Sequence, residues 1–470
     1  MAENGGSPWV LLPCESKLLD LAQALAEADS CRSSDLAVLS ILRAHPFVEV
    51  KGRPGGSPPR DFGDGLGICS EEHFRLNIRT FNQWLKSKDG KVFAKQAGGP
   101  SDDGIYTISA LLRRCMPRGF SRFTFEAFPE EEVLVRGFRK FTGLNADDED
   151  EESGATEHTE NFYFDPNLVP ERFAVTTKSN GENGKFSVRS VGGHQLLFAG
   201  SKNTCIAWRS EQDVTVIQPS SDPTIPGPLI AAAVQTYWRG WEVDTRDRFA
   251  AVVDRECWTL MLEHNCAHHE HVFPIDRDYV EFVAILDRSG LPLPQKQAFD
   301  LFDEFLLPRV RCDANVPMHV FPERLHAERT AVDREGAVLY LETDSGQPVG
   351  LVKVKSSFYV KARRTRQTFW GAVVDPLLKG QDLSGDKNVG WTAADRRLRA
   401  GMKTLHHVDG CEEHGQEWAD VAVGFVHWWH ARYDALRPNE RKEFAKAAKS
   451  KFGSLYRDYC KENGLPGGEN

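Results

Sequence analysis

The chain has 470 residues, enough for two or three domains around a sizeable core, with 40% apolar and 27% charged residues. No apolar run reaches membrane-spanning length, Met1–Ser7 is polar without a signal-peptide core, and the scattered cysteines from Cys14 to Cys460 lack paired spacing. These features exclude a transmembrane helix and a disulfide framework, and point to reduced thiols in a cytoplasmic or nuclear protein. The net charge of −10 argues against nucleic acid only as a sum, because Asp147–Glu152 is an unbroken run of six acids that biases it.

In chain order, residues 16–46 carry helical periodicity in two groups, with any of Ser33, Ser34 and Asp35 able to cap the second helix. Gly52–Gly67 reads as a loop, Phe74–Lys86 as a strand entering a turn, and Gly98–Gly104 as another loop. From Tyr106 short apolar stretches alternate with turns. Phe123–Phe128, Val133–Phe138, Phe173–Thr177, Lys185–Val191, Gln195–Ala199 and Thr204–Trp208 predict antiparallel sheet. A helix is expected over Pro228–Arg239 with Pro228 at its first position, strands at Cys257–Leu262 and Val280–Leu286, and an amphipathic helix over Lys296–Leu306. Strands follow at Ala337–Glu342 and Val349–Val354. After Trp370 the pattern is helical: Thr392 caps a helix through Ala400, Gln416–Leu436 is a long aromatic one, and Pro438–Asn463 a basic one. The fold class is α+β: an N-terminal segment (1–105), a central antiparallel-sheet domain (106–370) and an all-helical C-terminal domain (371–470).

Val175–Gly181 sets Lys178 between β-branched Thr176-Thr177 and the Asn180-Gly181 turn. A lysine at a strand end facing an enclosed site can act as a nucleophile; read alone, the same stretch is also an exposed hairpin. Downstream, a strand leads into Glu263, and Glu335-Gly336 opens another. Period two puts Lys353 and Lys355 on one face. Upstream, Arg118-Gly119-Phe120 sets a cation beside a strand start. A lysine attacking the α-phosphorus of a nucleotide needs cations on the phosphates, a carboxylate for a divalent metal and an acceptor for the ribose. Lys353 with Lys355, Glu335, and Glu263 fit these needs in turn, although each alone also reads as a turn or a solvated edge.

Together, Lys178-Ser179-Asn180-Gly181, Glu263, Glu335-Gly336 and Lys353-Val354-Lys355 resemble motifs I, III, IV and V of the covalent nucleotidyltransferases. Within that superfamily the set is similar to phage-type RNA ligase 1 and the ligase domain of fungal-type tRNA ligases. Arg118-Gly119-Phe120, Arg139-Lys140-Phe141 followed by Asn145, and Ser201-Lys202-Asn203 resemble further stretches of the same family. The resemblance covers residues 115–370. Asn180 departs from the aspartate of the phage enzymes and matches the tRNA ligases, and Glu263–Pro274 matches the motif III region only loosely.

The resemblance implies a stand-alone, monomeric, ATP-dependent RNA ligase with Mg²⁺ or Mn²⁺ as cofactor. Lys178, Glu335, Lys353 and Lys355 would be catalytic. Arg118, Lys140, Asn180, Gly181, Glu263, Lys353 and Lys355 would bind ATP, and Glu335 the metal. Lys202, Lys361, Arg363, Arg364 and Arg366 would bind RNA, with tRNA or broken tRNA-like stem-loops as partners and no membrane. Arg363–Trp370 resembles the basic-aromatic stretch after motif V in tRNA ligases, which require a 2′-phosphate beside the 3′-OH, whereas phage-type ligases do not. Other readings are a capping-type guanylyltransferase, a DNA ligase, or a non-catalytic RNA-binding protein on the same fold.

Cys266, His268, His269 and His271 fit no paired zinc spacing, and His271 is expected to line the site instead. Lys353–Arg366 holds six basic residues and no acid, a candidate phosphodiester-tracking surface or a plain solvated face. Phe425, Trp428 and Trp429 sit at helical spacing as core. The basic positions Arg441, Lys442, Lys446, Lys449 and Lys451 fit an RNA contact and an exposed face equally.

Overall fold

Alternating β-branched and aromatic residues build three sheets, and the computed structural model shows how they stack. It describes residues 11–468 apart from 29, 53–59, 64, 145–158, 219–224, 269–270, 333, 382, 384–388, 404 and 406–414. The acidic run Asp147–Glu152, Asn145 and His269 therefore lie outside the described residues.

The first sheet contains β1 (Val48–Lys51), β2 (Arg60–Asp61), β3 (Ile68–Leu76), β4 (Phe120–Phe125) and β5 (Phe128–Val135), with β3 pairing β1, β2 and β4. β6 (Thr142–Gly143) and β7 (Arg172–Thr177) belong to a sheet completed late in the chain. Before that come β8 (Glu182–Val191), β9 (His194–Ser201), β10 (Cys205–Arg209), β11 (Thr259–Asn265) and β12 (Tyr279–Leu286), in the order β10-β9-β8-β11-β12. Then β13 (Cys312–Pro317), β14 (Gly336–Glu342) and β15 (Pro348–Lys355) give the order β13-β7-β14-β15-β6. Neighbours are antiparallel except β15 and β6. The architecture is thus α+β with antiparallel sheets, and among the described residues every regular element after β15 is a helix.

Period two decides what each sheet face does. On β7, β14 and β15 the outward set Phe173, Val175, Ala337, Leu339, Val352 and Val354 packs against Phe321 and Leu325 of the helix Phe321–Thr330. The inward set Ala174, Tyr340 and Leu351 joins Phe186, Leu260 and Phe282 of the β8–β12 sheet in one core. A second interface, Phe123, Val135, Phe198 and Ala207, binds the first sheet to the other face of β8–β10.

Several expected boundaries differ. Ser30, not residues 33–35, caps the helix Cys31–Ala44. Asn77 accepts from the Thr80 amide and starts a helix, Ile78–Leu85, where a turn was expected. Ser101 likewise starts Asp102–Ile108 inside the expected Gly98–Gly104 loop, and the stretch after Tyr106 is first helical. β3 pairs β4, so the first sheet takes strands from both sides of residue 105. Pro226 rather than Pro228 opens the helix Pro226–Gly240. The helix Val243–Arg255 had no reading, because its charged surface hides a stripe limited to Phe249, Ala250 and Val253. Thr392 lies inside the helix Trp391–Lys403 rather than capping it. Pro438–Asn463 is two helices that meet at Lys451. Phe425 and Trp429 are fully buried, as helical spacing predicts.

Candidate active site

Lys178 follows β7 by one residue, and its amide donates to the Gly336 carbonyl at the start of β14. Thr177 pairs with Ala337, and Val338 with Lys353, so one end of this sheet gathers Lys178, Glu335, Lys353 and Lys355. Lys353 and Lys355 share the inward face with Leu351, while Val352 and Val354 point outward. The motif glycine has a physical reason. Gly336 has φ 139°, and a Cβ there would lie 2.0 Å from the Val354 carbonyl oxygen.

These residues line a cavity of about 510 Å³. Lys178 Nζ lies 2.7 Å from Glu335 Oε1, and the Glu335 side chain is 5% exposed. Asn183 donates to Glu263 at 3.2 Å, with Glu263 on the neighbouring β11. Desolvation raises the Glu263 carboxyl to about 8; Lys178 and Asn183 pull it down, while Glu335 and Glu182 push it further up. Asn180 Nδ2 donates to the Phe273 carbonyl at 3.5 Å, and its Oδ1 is buried with no hydrogen-bond partner among the described residues.

The opposite wall comes from distant parts of the chain. Arg118 and Lys202 line the cavity, and both meet one carboxylate oxygen of Asp102, at 3.3 and 2.5 Å. Burial disfavours the Asp102 charge, but Lys202, Arg118 and Lys140 outweigh it and hold the carboxyl down at about 2. Lys140 does not line the cavity; it is buried and pairs with Asp103 at 2.6 Å.

After β15, Ser356 accepts from the Tyr359 amide and caps the helix Ser357–Phe369. Its Tyr359, Arg363 and Arg366, spaced four and three residues apart, line the cavity, as do Gly181 and His271. Arg364 instead lies against Gly401. Lys361 is buried, with its ammonium 3.8 Å above the Trp418 ring, so the expected basic surface does not include it. Phe358 is buried in the C-terminal helical core too. Of the basic positions near the C-terminus, Lys449 pairs with Asp375 and Lys446 with Glu443.

Sequence reading missed Asp102, Asp103, Glu182 and Asn183. The signal for Glu182 was its period-two step past Asn180, at the start of β8; nothing local marked Asp102.

The donor set suits a hard cation. Mg²⁺ commonly takes one or two carboxylates together with substrate phosphates, and Glu335 and Glu263 both line the cavity, with burial raising the Glu263 carboxyl and the Glu335 charge adding a smaller push. Among the described residues no group of three or more His, Cys, Asp or Glu could hold a metal without substrate oxygens. No helix there is long and apolar enough to cross a membrane.

No protein-family profile matches the chain, and no curated protein does. Among solved structures it is similar to an archaeal ATP-dependent RNA ligase described as form 2, at 14% identity and TM-score 0.39, over 70% of this chain and 80% of that one. The one described as form 1 gives 14% identity and TM-score 0.38, over 67% and 73%. A single-residue variant of a Naegleria gruberi RNA ligase, with ATP and Mn, gives 12% identity and TM-score 0.27, over 41% of this chain and 52% of that one.

Proposed function

We propose that the chain is an ATP-dependent RNA ligase acting through a lysyl-AMP adduct. The observation that carries this reading is the ring of opposed charges. Lys178 and Glu335 lie in contact at one sheet end, with Lys353 and Lys355 on the same face and Arg118 and Lys202 across the cavity.

Lys178 Nζ, as the free amine with its protons passing to solvent, attacks the α-phosphorus of ATP, while the Glu335 carboxylate 2.7 Å away keeps it oriented. A P–N bond forms, the bond to the β-phosphate oxygen breaks, and pyrophosphate leaves. Arg118, Lys202, Lys353 and Lys355 stabilise the charge that develops on the phosphates. Asn180 Oδ1 and Glu263 are acceptors for ribose hydroxyls. Glu335 would hold a divalent cation such as Mg²⁺ or Mn²⁺, which would supply further neutralisation of phosphate charge. AMP then passes to an RNA 5′-phosphate, which frees Lys178, and the adjoining 3′-OH displaces AMP to close the strand. His271, Arg363 and Arg366 on the cavity wall suit an additional phosphate at the junction, so tRNA-like ends carrying a 2′-phosphate are the proposed substrate.

The experiment has two arms. Labelled ATP and GTP are offered separately; a covalent adduct with ATP alone supports the ligase, and one with GTP alone makes it a capping-type enzyme. Two nicked stem-loops, one with 2′-OH and one with 2′-phosphate beside the 3′-OH, then test the ends. Equal sealing of both refutes the 2′-phosphate requirement, and no adduct with either nucleotide refutes the enzyme.

A further inference from the structure

β8 carries a buried cation that the reaction above does not use. Lys185 is 1% exposed, on the face of β8 opposite Phe186 and Val188 and close to the interface that Val191, Phe198 and Phe123 fill with apolar side chains. A buried ammonium is expensive, and an apolar side chain of similar volume is usually as stable or more so, which makes a lysine here unexpected on packing grounds alone. Burial lowers its pKa to about 8, with Cys205 raising it and Arg75 lowering it further.

Its partners explain what it does. Lys185 Nζ donates to the Gly119 carbonyl and to Ser121 Oγ at 3.2 Å, and Ser121 Oγ in turn meets His73 Nδ1 at 3.0 Å. The ammonium therefore grips the turn that carries Arg118. That turn has one way to lie. Gly119 has φ 92°, and a Cβ there would meet the Lys202 carbonyl oxygen at 2.9 Å and Lys202 Cα at 3.1 Å. The backbones of Arg118-Gly119 and Lys202 are thus pressed together, and Lys185 Nζ, which the same Cβ would meet at 3.2 Å, holds the Gly119 carbonyl in that place.

We infer that Lys185 is a positioning residue whose ammonium fixes the Gly119 turn so that Arg118 and Lys202 face the ATP phosphates as a pair. The inference rests on the ligase reading of the cavity. An arginine aimed at a polyphosphate loses affinity when its backbone is free to shift, so the role of Lys185 runs through Arg118.

The test is a double-mutant cycle on ATP binding, by calorimetry, with wild type, Lys185→Met, Arg118→Ala and the double variant. Lys185→Met is expected to weaken ATP binding about tenfold, the size of a lost hydrogen bond to a charged group, and to leave the limiting rate of adduct formation within about threefold. In the Arg118→Ala background the same substitution is expected to cost nothing further. Equal losses in both backgrounds, or no loss in either, overturn the inference. If Lys185→Met does not fold, Ser121→Ala enters the same cycle and is judged by the same two results. Arg118→Ala with wild-type ATP affinity overturns the phosphate reading of the cavity itself. A weakened Arg118→Ala beside an unchanged Lys185→Met overturns only the role of Lys185.

Discussion

The two walls of the cavity are built in opposite ways. The wall of Lys178, Glu335, Lys353 and Lys355 is one sheet end, where strand register alone brings four side chains together. The wall of Arg118 and Lys202 depends on long-range docking, and a single acid, Asp102, already engages both cations, while Asp103 holds the buried Lys140 behind them. The first wall holds its charges by covalent spacing and period-two geometry. The second holds them by mutual neutralisation, and a polyphosphate must compete for it.

Substitutions should separate the walls. Lys178→Ala should abolish the protein–AMP adduct, because no other amine replaces the nucleophile; gel detection of labelled adduct reads this, and a persisting adduct relocates the site. Glu335→Ala and Lys353→Ala should each slow adenylylation by about two orders of magnitude, as loss of a preorganised charge does, in rapid-quench single turnovers. Wild-type rates would remove the sheet end from the chemistry. Asp102→Asn should act in the other direction, tightening pyrophosphate binding about threefold by removing the competing carboxylate from a partly exposed cluster. Weaker binding would make Asp102 an orienting group rather than a competitor.

The smallest effect concerns Glu263. Its carboxyl is raised from 4.5 to about 8 in the folded chain. The folded state therefore binds more protons than the unfolded one between those values, and stability falls as pH rises across that window, levelling off above it. Glu263→Gln should flatten this slope and raise the Tm at pH 8 by about 2 °C. Thermal melts from pH 5 to 8 in both proteins decide it, and parallel curves would show that Glu263 ionises freely.

The difference between the walls also explains what the sequence could reveal. Lys178, Glu335 and the pair Lys353 and Lys355 are legible because alternation fixes their faces locally and Gly336 marks the tight approach of β15. Lys140, which came from the family resemblance, and Lys361, which came from the basic run, lie outside the cavity lining because each has a specific partner, Asp103 or Trp418, that sequence alone does not show. The start of Asp102–Ile108 was missed because Gly98-Gly99-Pro100-Ser101 carries both loop and cap chemistry, and only docking decides that the chain turns helical there. The first sheet was only partly visible, since β3 meets β4 across the intervening helices.

One helix belongs to both halves of the molecule. Ser357–Phe369 gives Tyr359, Arg363 and Arg366 to the cavity and Phe358, Val360 and Phe369 to the C-terminal core, then continues without a break through Val374 to Leu378. A boundary drawn at residue 370 cuts it mid-turn. The C-terminal bundle is therefore not a detachable appendage but the buttress of a cavity wall. Truncating the chain there would strand an apolar helix face in water and loosen three cavity residues at once, so heritable loss of the bundle would be filtered first as misfolding and only afterwards as altered chemistry.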